Sequence, residues 1–200
     1  MSAQSDTRTR ILEAARDLIY ASSYADVGVQ AICDRAGVKK GSFYHFFKSK
    51  QALTLAVIDH FFSDFRDSLI REAFHSDLPP PERFERLVAL AIARQEMIHR
   101  ETGHVLGCPF GNLATEMATS DQTIRGRIET VFSRLQGYVR DALRDGIERG
   151  DFPPLDVEAT AAAMFAYFEG LMLLAKTRND PAVLRELLPA MTQIRIPLAR

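Results

Sequence analysis

The sequence predicts an all-α fold in which three short helices at the N-terminus precede a larger helical bundle. Apolar residues recur at helical spacing along almost the whole chain, and no segment shows the strict apolar–polar alternation of a strand. Breaks that contain Gly or Pro separate the periodic stretches. With 46% hydrophobic and 26% charged residues, the 200-residue chain has the composition of a globular protein that can bury a core.

The first fifty residues are predicted to contain three helices, over 7–22, 29–36 and 40–47. Gly37 follows the second helix where the chain must turn sharply, and glycine adopts the left-handed conformation of such a turn without a steric penalty. Val38 then fills the angle between the second and third helices. This short-helix, turn, short-helix arrangement is the one unit of the chain with a strong local signature.

The rest of the chain is predicted to form a helical bundle, with N-caps at Ser49 and Asp156. Its breaks are the linker of three prolines at 79–81, a turn containing two glycines, and the Gly-Asp-Phe-Pro-Pro segment at 150–154. The helices are expected over 50–74, 82–100, 110–118, 121–149, 156–177 and 183–194, the last interrupted at Pro189. We place the domain boundary at residue 50, which gives domains of residues 1–50 and 51–200.

Charge is distributed unevenly, although the net charge of the chain is only −1. Residues 1–50 contain eight Lys and Arg against five Asp and Glu, a net +3, whereas residues 51–200 carry 17 against 21, a net −4. A basic head on an acidic body is typical of a protein in which one end meets phosphate.

Targeting and membrane signals are not expected. No apolar run approaches the roughly 18 to 20 residues that span a bilayer, and the first ten residues lack the apolar core of a secretory signal. Two cysteines give no disulfide framework. These features predict a soluble cytoplasmic protein without membrane contact.

The segment from Tyr24 to Lys50 predicts a helix-turn-helix unit whose second short helix, at 40–47, enters the major groove of DNA. The spacing of Phe43 and of Phe46 or Phe47 turns these rings toward the core. Donor side chains suited to phosphate oxygens and base edges then face outward, namely Lys39, Lys40, Ser42, Tyr44, His45 and, at the next helix start, Lys50. The alternative is that 44–46 is ordinary core packing of a bundle.

The same window resembles the TetR/AcrR family of one-component regulators over about 45 residues. The residues that carry the resemblance are Ile32, Ala36, Gly37, Val38, Gly41, Tyr44, His45, Phe46 and Lys50. It implies phosphate contacts from Tyr44, His45 and Lys50, groove contacts from Lys39, Lys40, Gly41 and Ser42, and a contact from Gln30. Two departures from the family pattern are Ser23, where glycine is usual, and Val27-Gly28, where a capping Thr or Ser pair is usual.

The resemblance further implies a repressor that binds a palindromic operator as a homodimer formed through its last two helices, and that a small-molecule effector releases. The helix at 156–177 is apolar nearly all round, so it must be covered on both sides, either by a two-fold partner or by the centre of one large core. No cofactor is expected. The residues expected to line the effector pocket are Phe61, Phe65, Phe110, Leu113, Met117, Phe132, Phe165, Phe168 and Met172.

Cys108 stands at the start of a predicted helix, where the helix N-terminus favours the thiolate. The segment from Gly107 to Glu116 resembles TetR-family members of the N-ethylmaleimide reductase repressor type, which sense electrophiles and oxidants. In that type a lysine of the penultimate helix neighbours the thiol, and Lys176 occupies a similar place here. Cys108 is therefore expected to be either a thiol sensor or an inert buried residue.

Two other function classes compete with a DNA-binding regulator. An enzyme with Cys108 as nucleophile would use His99 or His104 as base, but no orienting Asp or Asn is identifiable. The second competing class is a helical protein-interaction module that does not bind DNA. For lack of that third residue we expect no catalysis, and we expect no metal site because His99 and His104 do not share a helical face.

Overall fold

The structure of the protein is a computed structural model that describes residues 3–75 and 77–198. Helices account for most of this range and it contains no strand, which confirms the predicted all-α class. A π-helical turn at Arg66–Ile70 joins α4 to α5, and a 3-10 helix at Leu188–Gln193 follows α10. In chain order the α-helices are α1 (Ala3–Ala21), α2 (Val29–Ala36), α3 (Lys40–Phe46), α4 (Lys50–Phe65), α5 (Arg71–Ala73), α6 (Pro80–Thr102), α7 (Pro109–Met117), α8 (Gln122–Arg149), α9 (Val157–Arg178) and α10 (Ala182–Leu187).

Most predicted helix ends agree with the structure to within two residues, although α1 starts earlier than predicted, at Ala3. The helix predicted over 50–74 is present as continuous helical chain over 50–73, with a π-helical turn at Arg66–Ile70 within it. The last helix changes to 3-10 geometry at Leu188, next to Pro189, which has no N–H for an α-helical bond.

Both predicted N-caps are confirmed by hydrogen bonds. The Ser49 hydroxyl accepts from the backbone N–H of Ala52 at 3.0 Å, at the start of α4. The Asp156 carboxylate accepts from the N–H of Ala159 at 2.9 Å, at the start of α9. Each bond satisfies one of the donors that a helix N-terminus leaves without a partner.

The chain forms two compact units that interleave in sequence. The first takes in the chain up to Asp64 together with Pro109–Thr130, and the second takes in Phe65–Cys108 and the chain from Val131 onward. The predicted boundary at residue 50 stays a prediction. Fully buried side chains form each core: Ile11, Ile32, Phe43, Leu53, Ile58 and Phe110 in the first unit, and Phe84, Leu143, Met164, Leu184 and Leu188 in the second.

Two close contacts fix α8 against neighbouring segments of the second unit. Arg83 is 8% exposed, and its guanidinium lies 2.7 Å from the Asp145 carboxylate. A Cβ added to Gly146 would lie 2.3 Å from the Phe152 ring, so the ring can pack there only because the residue is glycine. The second unit is therefore held together by these specific contacts as well as by the burial of the apolar faces of its helices.

Candidate DNA-binding and effector sites

The turn between α2 and α3 depends on the backbone conformation of Gly37. Its φ of 65° and ψ of 39° lie in the left-handed region. The N–H groups of Gly37 and Val38 donate to the carbonyls of Asp34 and Cys33, at 3.2 and 3.0 Å. An added Cβ would meet only an Arg10 side-chain atom, at 3.8 Å, so conformation rather than space demands glycine here.

Helix α3 has one buried face and one exposed face. Phe43 is fully buried and Phe47, just after the helix, is 4% exposed, while the Tyr44 side chain is 55% exposed. His45 is also exposed and Ser42 is half-buried. Since the polar residues of α3 face outward, the segment 44–46 is not ordinary core packing.

The residues predicted to face DNA are mostly accessible, and we call them the recognition surface. Six are exposed and two, Ser42 and Lys50, are half-buried. The Gln30 amide donates to Asp34 within α2 at 2.7 Å. The full set is Gln30, Lys39, Lys40, Gly41, Ser42, Tyr44, His45 and Lys50.

Lys50 has an intramolecular role that sequence reasoning missed. Its ammonium group donates to the backbone carbonyl of Tyr24 and lies 4.1 Å from the centre of the Tyr24 ring. Burial lowers the pKa of Lys50, while the negative charges of Glu116 and Asp26 act in the opposite direction. The predicted phosphate contact of Lys50 stays a prediction.

The second unit contains an apolar cavity of about 40 Å³. Three of the nine residues predicted for the effector pocket line it: Phe65, Phe165 and Phe168. The other walls come from segments far apart in the chain. They are Ile70, Phe74, Leu87, Leu135, Val139, Met164 and Met191.

The other six predicted pocket residues lie elsewhere. Phe132 packs on Phe165 with ring centres 4.9 Å apart, and Met172 is buried in α9. Phe61 packs against Phe110 in the first unit, with ring centres 6.3 Å apart. Leu113 and Met117 also belong to the first unit.

Cys108 is 8% exposed and directly precedes α7. The carboxyl group of Glu169 is hydrogen-bonded to its thiol. Burial raises the pKa of Glu169 to about 7, and the bond to the thiol acts in the opposite direction. Oε1 of Glu169 is buried without a hydrogen-bond partner in the described part of the chain. Sequence reasoning missed this carboxyl group, although it is the one acidic residue in the apolar middle of α9.

The segment between α6 and α7 is held from both sides. The Gln95 amide donates to the Gly107 carbonyl at 3.0 Å and accepts from the Gly107 N–H at 3.3 Å. The Asn179 amide accepts from the N–H of Val105 at 2.8 Å. A Cβ on Gly107 would lie 3.4 Å from Cδ of Lys176, so Lys176 lies against the residue next to Cys108.

Helix α9 is unusual in its composition. Its length and a mean hydropathy of 1.4 would suffice for a membrane span, and 33% of that apolar window is buried. This corrects the expectation that no run approaches such a length. In the ranges 3–75 and 77–198, no three His, Cys, Asp or Glu residues are grouped to hold a metal ion.

Two family models match the chain. The model described as "Bacterial regulatory proteins, tetR family" matches residues 11–57, and "Tetracyclin repressor-like, C-terminal domain" matches residues 83–191. The second match alone covers more than half of the chain. Both matches indicate a transcription regulator rather than an enzyme.

Individual relatives agree with these matches. The transcriptional regulator AcuR of Cereibacter sphaeroides is 32% identical over 180 residues, which are 86% of this chain and 78% of AcuR. The structure of a regulatory protein TetR from Rhodobacter sphaeroides has a TM-score of 0.82 at 26% identity, covering 94% of this chain and 98% of that one. The reduced form of Escherichia coli NemR has a TM-score of 0.78 at 20% identity, covering 97% and 100%, which shows the shared fold.

Proposed function

Because the chain belongs to the TetR family of transcriptional regulators, we propose that it is a cytoplasmic repressor that binds a palindromic operator as a homodimer and leaves it when an apolar effector binds. The observation that carries this proposal is the two-faced helix α3. Phe43 and Phe47 anchor it in the core, and Tyr44 and His45 stand exposed as donors for phosphates and base edges. The basic residues of the recognition surface supply the sequence-independent attraction to DNA.

The exposed face of α9 supports a dimer. Ala162, Ala166 and Gly170 recur at intervals of four residues and are exposed, and Leu173 and Leu174 are 62% and 43% exposed. Small residues let a second helix approach closely, and the exposed leucines gain from being covered. Membership of the TetR family favours a second copy of the chain over a membrane as the partner of this face. In such a dimer, the two recognition helices would contact the two half-sites of the operator.

The cavity of the second unit supports an apolar effector. All ten of its lining residues are apolar, four of them phenylalanine, so water gains no partners in it. A volume of about 40 Å³ is far below that of typical ligand sites. An effector must therefore displace walls such as Met164 and Met191, whose flexible side chains adapt readily. Such a displacement is the physical basis for release.

The test is selection of DNA by the protein itself. Randomised duplexes bound by the wild-type chain are amplified and sequenced, and the affinity of the selected duplex is then measured over a series of salt concentrations. We expect a two-fold symmetric site and a steep fall of affinity with salt, because phosphate contacts release counterions. Failure to enrich any sequence, or enrichment of an asymmetric single half-site, would contradict the proposal.

A second route to release is supported by the contact between Cys108 and Glu169. We propose that the thiol adds to α,β-unsaturated carbonyl compounds. The sulfur forms a bond to the β-carbon, the C=C electron pair moves to the α-carbon, and the thiol proton passes by way of the Glu169 carboxyl group to that carbon. Burial of Glu169 makes it an acceptor poised near neutral pH.

This route is tested with N-ethylmaleimide. Mass spectrometry should find one adduct at Cys108, and the treated protein should lose the selected duplex. The Cys108→Ser variant should keep the duplex after treatment, whereas the control Cys33→Ala should release it like the wild type, because Cys33 is fully buried in the first unit. Equal release from wild type and Cys108→Ser would rule the thiol out.

A further inference from the structure

Helix α7 ends in a carboxylate that holds the backbone just before the helix-turn-helix. Oε2 of Glu116 accepts from the N–H of Tyr24 at 2.8 Å, and Oε1 accepts from the N–H of Ala25 at 2.7 Å. These residues are more than 90 positions apart in the chain and lie in the same compact unit. Hydrogen bonds from N–H groups to an ionised carboxylate are about twice as strong as those between neutral groups.

The same turn is held from a second direction by Lys50. While the N–H of Tyr24 donates to Glu116, its carbonyl accepts from the Lys50 ammonium group. The negative charge of Glu116 also favours the charged form of Lys50. Glu116, the 24–25 backbone and Lys50 thus form one connected network, which we call the turn clamp.

A neighbouring contact ties the start of α4 to the start of α8. Gln51 donates to the Asp121 carboxylate at 2.7 Å, and the other oxygen of Asp121 caps α8 through the N–H groups of Thr123 and Ile124. Asp121 is therefore mainly the N-cap of its own helix, α8. The turn clamp differs because neither of its two bonds from Glu116 stays within α7.

The held turn leads directly into α2. Ser23 and Asp26 close it locally, with the Ser23 hydroxyl donating to Asp26 at 2.8 Å. Val27 is buried and Gly28 caps α2 without a side-chain bond. Because α2 begins without a capping side chain, the entry angle of α2 and then α3 depends on what fixes the turn before it.

We propose that Glu116 is a positioning residue for operator binding, which fixes the Tyr24–Ala25 turn and so sets the orientation of α2 and α3. This inference rests on the proposed DNA-binding function. A specific site requires both recognition helices in register, whereas binding to random DNA needs only positive charge. The clamp should therefore matter for the first kind of binding and not for the second.

The experiment compares Glu116→Ala and Glu116→Gln with Glu129→Ala, which removes an exposed glutamate of α8. Affinity is measured for the selected duplex and for a random duplex, and amide hydrogen exchange is followed at Tyr24 and Ala25. We expect Glu116→Ala to bind the selected duplex at least tenfold more weakly and to exchange both amides faster. Glu116→Gln should lie between, because its side chain offers one carbonyl oxygen. Affinity for the random duplex should not change.

Each outcome decides between causes. Equal loss on both duplexes would show general unfolding and overturn the positioning role, as would unchanged affinity of the folded variant for the selected duplex. If Glu116→Ala does not fold, the same comparison is made with Glu116→Gln: a weaker affinity for the selected duplex at unchanged affinity for the random duplex supports the positioning role. If the wild type selects no duplex, the proposed function fails, and the exchange rates at Tyr24 and Ala25 still test the clamp itself.

Discussion

The backbone N–H of Val38 lies 3.0 Å from the carbonyl oxygen of Cys33, and this bond closes α2 at the point where the chain turns toward α3. It forms only because Gly37, between them, takes a left-handed conformation. The direction of the recognition helix therefore depends on one residue that carries no side chain.

Replacing Gly37 by Ala should destabilise the protein by about 1 kcal/mol or more, since an L-residue with a side chain is strained at this φ. Thermal unfolding followed by circular dichroism measures the change. Gly126→Ala is the matched control, because Gly126 is exposed in α8 with open space around an added Cβ. That change should raise stability by up to about 1 kcal/mol. Equal effects of the two substitutions would argue against a conformational role of Gly37.

The cap of α9 gives a second stability prediction. Asp156→Ala removes the acceptor of the Ala159 N–H and should cost about 1 kcal/mol of unfolding free energy in a urea titration. Asp156→Asn keeps an acceptor at the same place and should retain most of the stability. If the two variants are equally destabilised, the cap is not the source of the effect.

Glu169 predicts a pH dependence of stability. Its pKa is raised to about 7 in the folded protein, against about 4.3 in an unfolded chain. Below the lower value both states hold the proton, so there is no penalty. As the pH rises through 7 the unfolded state releases the proton first, and folding is weakened by up to about 4 kcal/mol.

Glu169→Gln should therefore gain stability relative to wild type between pH 5 and pH 8. Urea titrations of the wild type and of Glu169→Gln at pH 5 and pH 8 give the free energy of unfolding of each protein. An effect of the amide that does not depend on pH cancels when the change between the two pH values is compared. A difference between the two proteins that does not change with pH would show that Glu169 does not titrate in this range.

The exposed face of α9 predicts the oligomeric state. Leu173→Glu places a charge on the proposed dimer face, where a leucine is 62% exposed, and should shift the protein to a monomer in analytical ultracentrifugation. Met97→Glu is the control, because Met97 is an equally apolar residue of α6 that is 43% exposed. Dimers in both variants, or monomers in both, would contradict a dimer formed through α9.

Local patterns of the sequence were enough to predict the helices and the two faces of α3. The spacing of Phe43, Tyr44, His45 and Phe47 within a short helix assigns inside and outside without knowledge of the rest of the fold. Gly37 likewise marks its turn through conformation alone. These features depend on neighbours a few residues away, which the sequence displays directly.

The contacts that sequence reasoning missed join distant segments. Glu116 is the last residue of a recognisable segment, yet nothing near it in the chain points to the backbone of Tyr24. The cavity walls Leu87 and Met191 come from helices about a hundred residues apart and look like any core residue. Glu169 did carry a signal, since a carboxylate within an apolar helix needs a partner. Its partner, Cys108, emerges only from the fold.

The claim on which the account rests is that the exposed face of α3 binds DNA, and the affinity of Tyr44→Ala for the selected duplex tests it most directly. Fluorescence anisotropy of the labelled duplex gives the affinity, circular dichroism checks the fold, and Arg71→Ala, an exposed basic residue of α5, serves as control. We predict at least tenfold weaker binding by Tyr44→Ala, about 1.4 kcal/mol, and little change for Arg71→Ala. Wild-type affinity in a folded Tyr44→Ala variant would contradict the account.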